Sequence, residues 1–225
     1  MSFLQEISKA IRVTIIIWVL TALIYPGFML FIGLLFPYQA HGSLIENKQG
    51  QVVGSALIGQ PFSSEHYFWS RPSAVDYSTA DPKKDTNGIL KTGVSGASNL
   101  APSNSKELLK NARKPDEPDL LKRIRSDVSN LQKAEIRPTS DLVYSSGSGL
   151  DPHITVEAAH AQVKRIAKAR SLSPDDVQHL INENTDGRFL GIFGEPGVNT
   201  LTLNLALDQK QNNALSQNHL DLQKY

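Results

Sequence analysis

"VTIIIWVLTALIYPGFMLFIGLLFPYQA", residues 13–40, holds no charged side chain. Its most apolar part, residues 13–36, makes ~36 Å of α-helix at ~1.5 Å per residue. That length crosses a ~30 Å hydrocarbon core with some tilt. The competing reading is a cleaved signal peptide, for which "AHG" at 40–42 offers suitably small residues. The apolar run is about twice the ~7–15 residues of a signal core, which favours a retained transmembrane helix. Pro26-Gly27 sits in mid-span and predicts a kink or local break. Tyr38 stands where an interfacial anchor belongs.

The flanks give an orientation. Lys9 and Arg12 precede the span, and the first basic residue after it is Lys48. By the positive-inside rule, residues 1–12 form a short cytoplasmic N-terminus and residues 42–208 an extracytoplasmic domain. The expected class is a single N-terminal transmembrane helix followed by a mixed α/β (α+β) soluble domain. Residues 209–225, rich in Gln and Asn, read as a frayed polar tail.

A chain of 225 residues leaves room for one soluble domain beside the anchor. The net charge of +1 lacks the basic field of a nucleic-acid binder. The absence of cysteine excludes disulfides, thiolate metal sites and a cysteine nucleophile.

Within the domain, "GQVVGSALIGQPF" at 50–62 reads as a strand bounded by glycines and a proline. The Ser-, Asn-, Gly- and Pro-rich stretch that follows reads as loop, with Tyr67, Phe68 and Trp69 pinning it to a surface. Residues 105–113 and 118–133 read as helices; in the second, Leu121, Ile124, Val128 and Leu131 recur at helical spacing. A helix is expected from Asp151-Pro152 to about Arg170, and another from the Ser173 cap to near Asn184. "RFLGIF" and "NTLTLNLAL" read as two strands joined by a turn at "GEPG", because Leu201, Leu203, Leu205 and Leu207 alternate with smaller residues.

Few motifs carry chemistry. After Gly149 come Leu150, Asp151 and Pro152 rather than the Lys and Ser/Thr of a phosphate loop. Asp151 instead reads as a helix N-cap preceded by a glycine turn. His153 and His160 are seven residues apart, not the three or four that metal pairs prefer, and no metal or catalytic residue is expected. "LKTGV" at 90–94 is similar to the phosphorylation site of P-type ATPases, but Leu90 replaces the nucleophilic aspartate and cannot accept a phosphoryl group.

Seven blocks occur in order: "GSLI" at 42–45, "GSALIGQPF" at 54–62, "YFWSRPSA" at 67–74, "SNLAPSN" at 98–104, "SGSGLDPHIT" at 146–155, "RIAKAR" at 165–170 and "VNTLTLNLALD" at 198–208. Together they resemble the C subunits (KdpC) of bacterial Kdp potassium-transporting ATPases. The resemblance implies a single-span, non-hydrolysing accessory subunit in the bacterial inner membrane. Its implied partners are a channel-like potassium-binding subunit and an ATP-hydrolysing P-type subunit of a high-affinity import complex. It also implies a role in assembly and activity, as a catalytic chaperone that raises the nucleotide affinity of the pump subunit.

No firmly bound cofactor is expected, and ATP enters only through that complex. Two sets of residues follow as expectations. Gly149, Leu150, Asp151, Pro152, His153, Glu195 and Asn199 form a candidate docking surface; its carboxylates Asp151 and Glu195 are candidates to concentrate potassium, with a helix cap and a turn respectively as the competing and favoured readings. Gln162, Lys164 and Arg165 are candidates for contact with ATP, with a solvated basic helix face as the competing reading.

Overall fold

The computed structural model describes residues 3–79, 93–100 and 119–222. The chain divides into two compact units, Met1–Ile45 and Glu46–Tyr225. The helix expected at 105–113 lies outside the described residues, as does most of the "LKTGV" motif.

In the first unit, α1 (Phe3–Val19), a π-helical turn (Leu20–Ile24) and α2 (Tyr25–Leu35) run on as one helix of 33 residues, long and apolar enough to cross a membrane. The predicted kink at Pro26-Gly27 takes the form of that π turn. Proline has no N–H to give and its ring crowds the carbonyl four residues back. Widening the preceding turn, with the Tyr25 N–H donating to the Leu20 carbonyl, admits Pro26 without ending the helix. The Thr21 hydroxyl donates to the Ile17 carbonyl at 2.8 Å, which anchors the start of the widened turn. Side chains such as Ile16, Leu23, Phe28 and Leu34 are exposed all round, as expected of a helix that meets lipid or other helices. A short helix, α3 (Pro37–Ala40), and β1 (Leu44–Glu46) follow.

The second unit begins with β2 (Val52–Ser55), only the first part of the strand expected over 50–62. Its core is helical. α4 (Asp119–Lys133) has the predicted apolar stripe, with Leu131 buried and Ile124 and Val128 packed beside it. After α5 (Ser140–Val143) come β3 (His153–Thr155), α6 (Val156–Ala161), α7 (Val163–Arg170) and α8 (Pro174–Glu183). The α6–α7 face expected from the sequence is buried: Ala159, Val163, Ile166 and Ala167 join Ile154, Val177, Ile181, Val198, Leu203 and Leu207. α8 opens as predicted, with the Ser173 hydroxyl accepting the Asp176 N–H at 3.0 Å.

Three expectations are corrected. Asp151 does not cap a helix. Residues 153–155 pair antiparallel with β5 (Gly197–Asn199), which in turn pairs with β4 (Thr185–Asp186), giving sheet order β3-β5-β4. Sheet pairing claims that backbone, so the helix starts later and the cap is Thr155, whose Oγ1 accepts the Ala158 N–H at 3.1 Å. "RFLGIF" is not a strand but the tip of a tight hairpin, with Phe189 and Phe193 exchanging backbone hydrogen bonds.

"NTLTLNLAL" is helical: α9 spans Thr200–Leu222 and so also replaces most of the expected frayed tail. Asn199 starts it, its Oδ1 accepting the N–H groups of Leu201 and Thr202 at 3.1 and 3.3 Å. The early part of α9 is buried on most of its circumference, including Leu201, Leu203, Asn204 and Leu207. Such a helix has no polar face to reveal a 3.6-residue period, which leaves the alternating leucines as the visible pattern.

Candidate functional site

The irregular segment 60–79 is held by side chains that arrive from far along the chain. Asn204 and Gln162, both fully or nearly fully buried, each clasp one residue of it as a neighbouring strand would. Asn204 accepts the Phe68 N–H at 2.8 Å and donates to the Phe68 carbonyl at 3.0 Å. Gln162 accepts the Trp69 N–H at 2.8 Å and donates to the Trp69 carbonyl at 3.2 Å. The two amides replace a missing β-ladder over two successive residues, and Phe68 is buried completely beneath them.

Two buried arginines complete the clamp. Arg165 donates to the carbonyls of Glu65 and Tyr67 at 2.5 and 2.8 Å and to Gln162 Oε1 at 2.8 Å. Its guanidinium lies 4.7 Å from the Trp69 ring centroid, and burial lowers its pKa to about 10. Arg170 donates to the His66 carbonyl at 2.6 Å, pairs with Asp208 at 2.8 Å and stacks 4.7 Å from the Tyr67 ring centroid. Guanidinium groups suit this task because one planar fork serves several carbonyls and a ring face together.

This geometry decides what the three candidate nucleotide contacts do in the chain. Gln162 and Arg165 are brought together on the backbone of 64–69, and of the two only Arg165 also borders an open cleft. Lys164 is exposed and pairs with Glu135 at 3.0 Å. It lines a cleft of about 410 Å³ together with Lys133, Lys168 and the buried Arg165.

The candidate docking segment 146–155 is a second polar cluster. Gly149 has φ +67°, and a Cβ there would come within 2.7 Å of both the Gly96 carbonyl oxygen and a Val75 methyl. The residue is glycine because the chain turns left-handed against a neighbouring backbone. The Leu150 carbonyl accepts the Gly59 N–H at 2.9 Å, and the Pro152 carbonyl accepts the Thr200 N–H at 3.0 Å. Asp151, half-buried, accepts from the Arg71 guanidinium at 2.8 Å and from the His153 N–H at 3.0 Å.

The His153 ring lies between two carboxylates, with Nδ1 3.5 Å from Asp151 and Nε2 3.2 Å from Asp186. Hydrogen bonding to Asp151, then to Asp186, raises the His153 pKa above its ordinary 6.5 despite partial burial. Hydrogen bonding to His153 is also the main reason that the Asp151 pKa is lowered.

Asn199 is brought to this cluster as the register partner of His153. It is buried, caps α9 and donates from Nδ2 to the Ala56 carbonyl at 2.8 Å. Glu195 instead pairs with Arg188 at 3.0 Å across the neighbouring hairpin. Asp151 thus has Arg71 and Glu195 has Arg188 as its cationic neighbour. Among the described residues, no cluster of three or more His, Asp or Glu side chains is placed to hold a metal.

Sequence reading missed Arg71, Arg170 and Asn204. A signal existed only for Asn204, a strongly polar residue inside the apolar run "LTLNLAL".

The two units define a class: one long apolar N-terminal helix carrying a domain of helices and short strands whose buried polar groups pin its own loops. Residues 7–209 match the family model described as KdpC: K+-transporting ATPase, c chain, and the chain belongs to that family. It is 62% identical to the potassium-transporting ATPase KdpC subunit of Microcystis aeruginosa over 92% of this chain and 97% of that relative. It is 58% identical to KdpC subunit 1 of a Nostoc species, over 93% of this chain and 98% of the relative. The Synechocystis subunit is also 58% identical, with 89% of this chain and 96% of the relative covered.

Proposed function

We propose that this chain is the membrane-anchored, non-hydrolysing accessory subunit of an ATP-driven, high-affinity potassium import complex. The observation that carries the proposal is the family match over residues 7–209, which takes in both the apolar helix and the domain. α1 and α2 together span the inner membrane with the N-terminus in the cytoplasm, as the placement of Lys9 and Arg12 before the span supports. The domain then lies outside the cell, against the channel-like potassium-binding subunit, and the P-type subunit hydrolyses ATP on the opposite side. The effect on nucleotide affinity passes through the span and the partner subunits, as a coupling between separate sites.

The test is potassium-dependent ATPase activity in complexes whose C subunit lacks residues 42–225. Loss of activity, or a raised KM for ATP with the other subunits still assembled, is expected. Unchanged kinetics would remove the domain from the function.

A second reading, direct contact with ATP, has one observation in its favour: the cleft where Lys133, Lys164, Lys168 and Arg165 outnumber Glu65 and Glu135. Gln162, its leading residue by sequence, faces Trp69 instead. Photolabelling by an ATP analogue that falls in Lys164→Ala/Lys168→Ala would support this reading. Equal labelling of variant and wild type, or labelling only of the P-type subunit, would count against it.

A further inference from the structure

The hairpin between β4 and β5 carries four large apolar side chains into solvent. Phe189, Leu190, Ile192 and Phe193 are 71%, 73%, 72% and 62% exposed. They fall within five consecutive uncharged residues. Their combined surface is on the order of 500 Å², the scale at which an exposed apolar patch marks a contact site.

The tip is built to hold this outward position. Phe189 and Phe193 donate to each other's carbonyls at 2.8 and 3.0 Å, and the Gly191 and Ile192 N–H groups close the turn on Arg188 and Phe189. Leu190 adopts φ +53°, a left-handed conformation unfavourable for a branched side chain. The Arg188–Glu195 ion pair ties the base of the hairpin at 3.0 Å. An apolar tip held by ordered backbone, with one residue kept in a costly conformation, is characteristic of functional loops.

The flanking charges distinguish between occupants. Loops that rest on an anionic bilayer carry surplus Lys and Arg around their apolar tip. Here Arg188 is engaged by Glu195, and His153 lies between Asp151 and Asp186. The hairpin flanks therefore offer no positive surplus. Aromatic and aliphatic side chains with few charges match the buried centre of a stable protein–protein interface.

We infer that the 189–193 tip is a docking knob that inserts into an apolar recess on another subunit of the same ATPase complex. This rests on the reading of the chain as an assembled subunit.

The chain has no cysteine, so Ile192→Cys gives a single thiol on it. Its labelling by a membrane-impermeant maleimide is compared in three states: the purified intact complex, the subunit alone in detergent, and the subunit alone in anionic lipid vesicles. Labelling at least tenfold slower in the complex and fast in the other two is expected. Fast labelling in the complex overturns the inference. Protection in vesicles of the lone subunit assigns the tip to lipid, and protection that grows with subunit concentration in detergent assigns it to a second copy; either overturns it.

As a second variant, Phe189→Ser/Phe193→Ser is expected to keep the Tm of the lone subunit and to lower its retention by the complex at least tenfold. Unchanged retention overturns the inference. A wild-type chain that is not retained at all overturns the assembly reading as well, whereas retention with an unprotected Ile192→Cys overturns the docking knob alone.

Discussion

Replacing Gln162 by leucine keeps most of the side-chain volume and removes every hydrogen bond the side chain makes. The Trp69 N–H loses its acceptor at 2.8 Å, the Trp69 carbonyl its donor at 3.2 Å, and Arg165 one of its acceptors at 2.8 Å. Gln162 is fully buried, so water does not replace these partners. An orphaned buried polar group costs ~1–3 kcal/mol, more when charged. Because Arg165 retains the Glu65 and Tyr67 carbonyls, the sum comes to about 3–4 kcal/mol rather than the full total.

For a domain of this size, ~1 kcal/mol shifts Tm by ~2–4 °C, so Gln162→Leu is expected to lower Tm by roughly 10 °C. The chain has two tryptophans, and in a Trp18→Phe background Trp69 reports alone. Thermal and urea unfolding of the full chain in detergent, followed by Trp69 emission, measures the loss. A variant within ~1 kcal/mol of wild type with unchanged emission would refute the clamp reasoning. The result also guards the interpretation of function, since an effect of Gln162 substitution on ATP use would then need separation from loss of fold.

Three further outcomes are expected. His153 has a raised pKa in the folded chain, so its contribution is fully present below the unfolded value of 6.5 and is lost as pH rises through the folded one. Asp151, whose pKa is lowered, contributes above its unfolded 3.8 and loses that contribution as pH falls through the folded value. Urea midpoints from pH 5 to 9 should therefore decline more above neutrality in wild type than in His153→Gln. Gly149→Ala places a Cβ 2.7 Å from the Gly96 carbonyl at φ +67° and should cost at least ~2 kcal/mol by the same unfolding assay. A Cβ at Gly27 meets nothing within 4 Å in the chain itself, so in Gly27→Ala the lone subunit should keep its stability while its retention by partner subunits falls.

Some parts of this fold were legible because one local rule dominated. The uncharged run of 13–40 declares the long helix, and Ser173-Pro174 with Asp176 declares the start of α8. Phe68 was rightly expected to pin its loop, but what holds that loop was not legible. Its partners Gln162 and Asn204 lie 93 and 136 residues away, and nothing in their neighbours' spacing indicates an amide aimed at a distant backbone. The Asp151 cap failed for a related reason: three residues of pairing with 197–199 outweighed a well-formed local helix signal. Of the candidate site, Asp151 and His153 share one polar cluster with Arg71 and Asp186. Arg71, in the segment 60–79, and Asp186, in β4, lie 80 and 33 residues from the residues they pair with, beyond the reach of any local pattern.

The central claim is that an exported domain influences ATP use without touching the nucleotide, and sidedness tests it most directly. Asn182→Cys on the exposed surface of α8 supplies a single thiol on this chain, to be labelled by a membrane-impermeant maleimide in intact cells. Labelling equal to that in lysed cells is predicted and places the domain outside, away from ATP. Labelling that occurs only after lysis would put the domain in the cytoplasm and contradict the account.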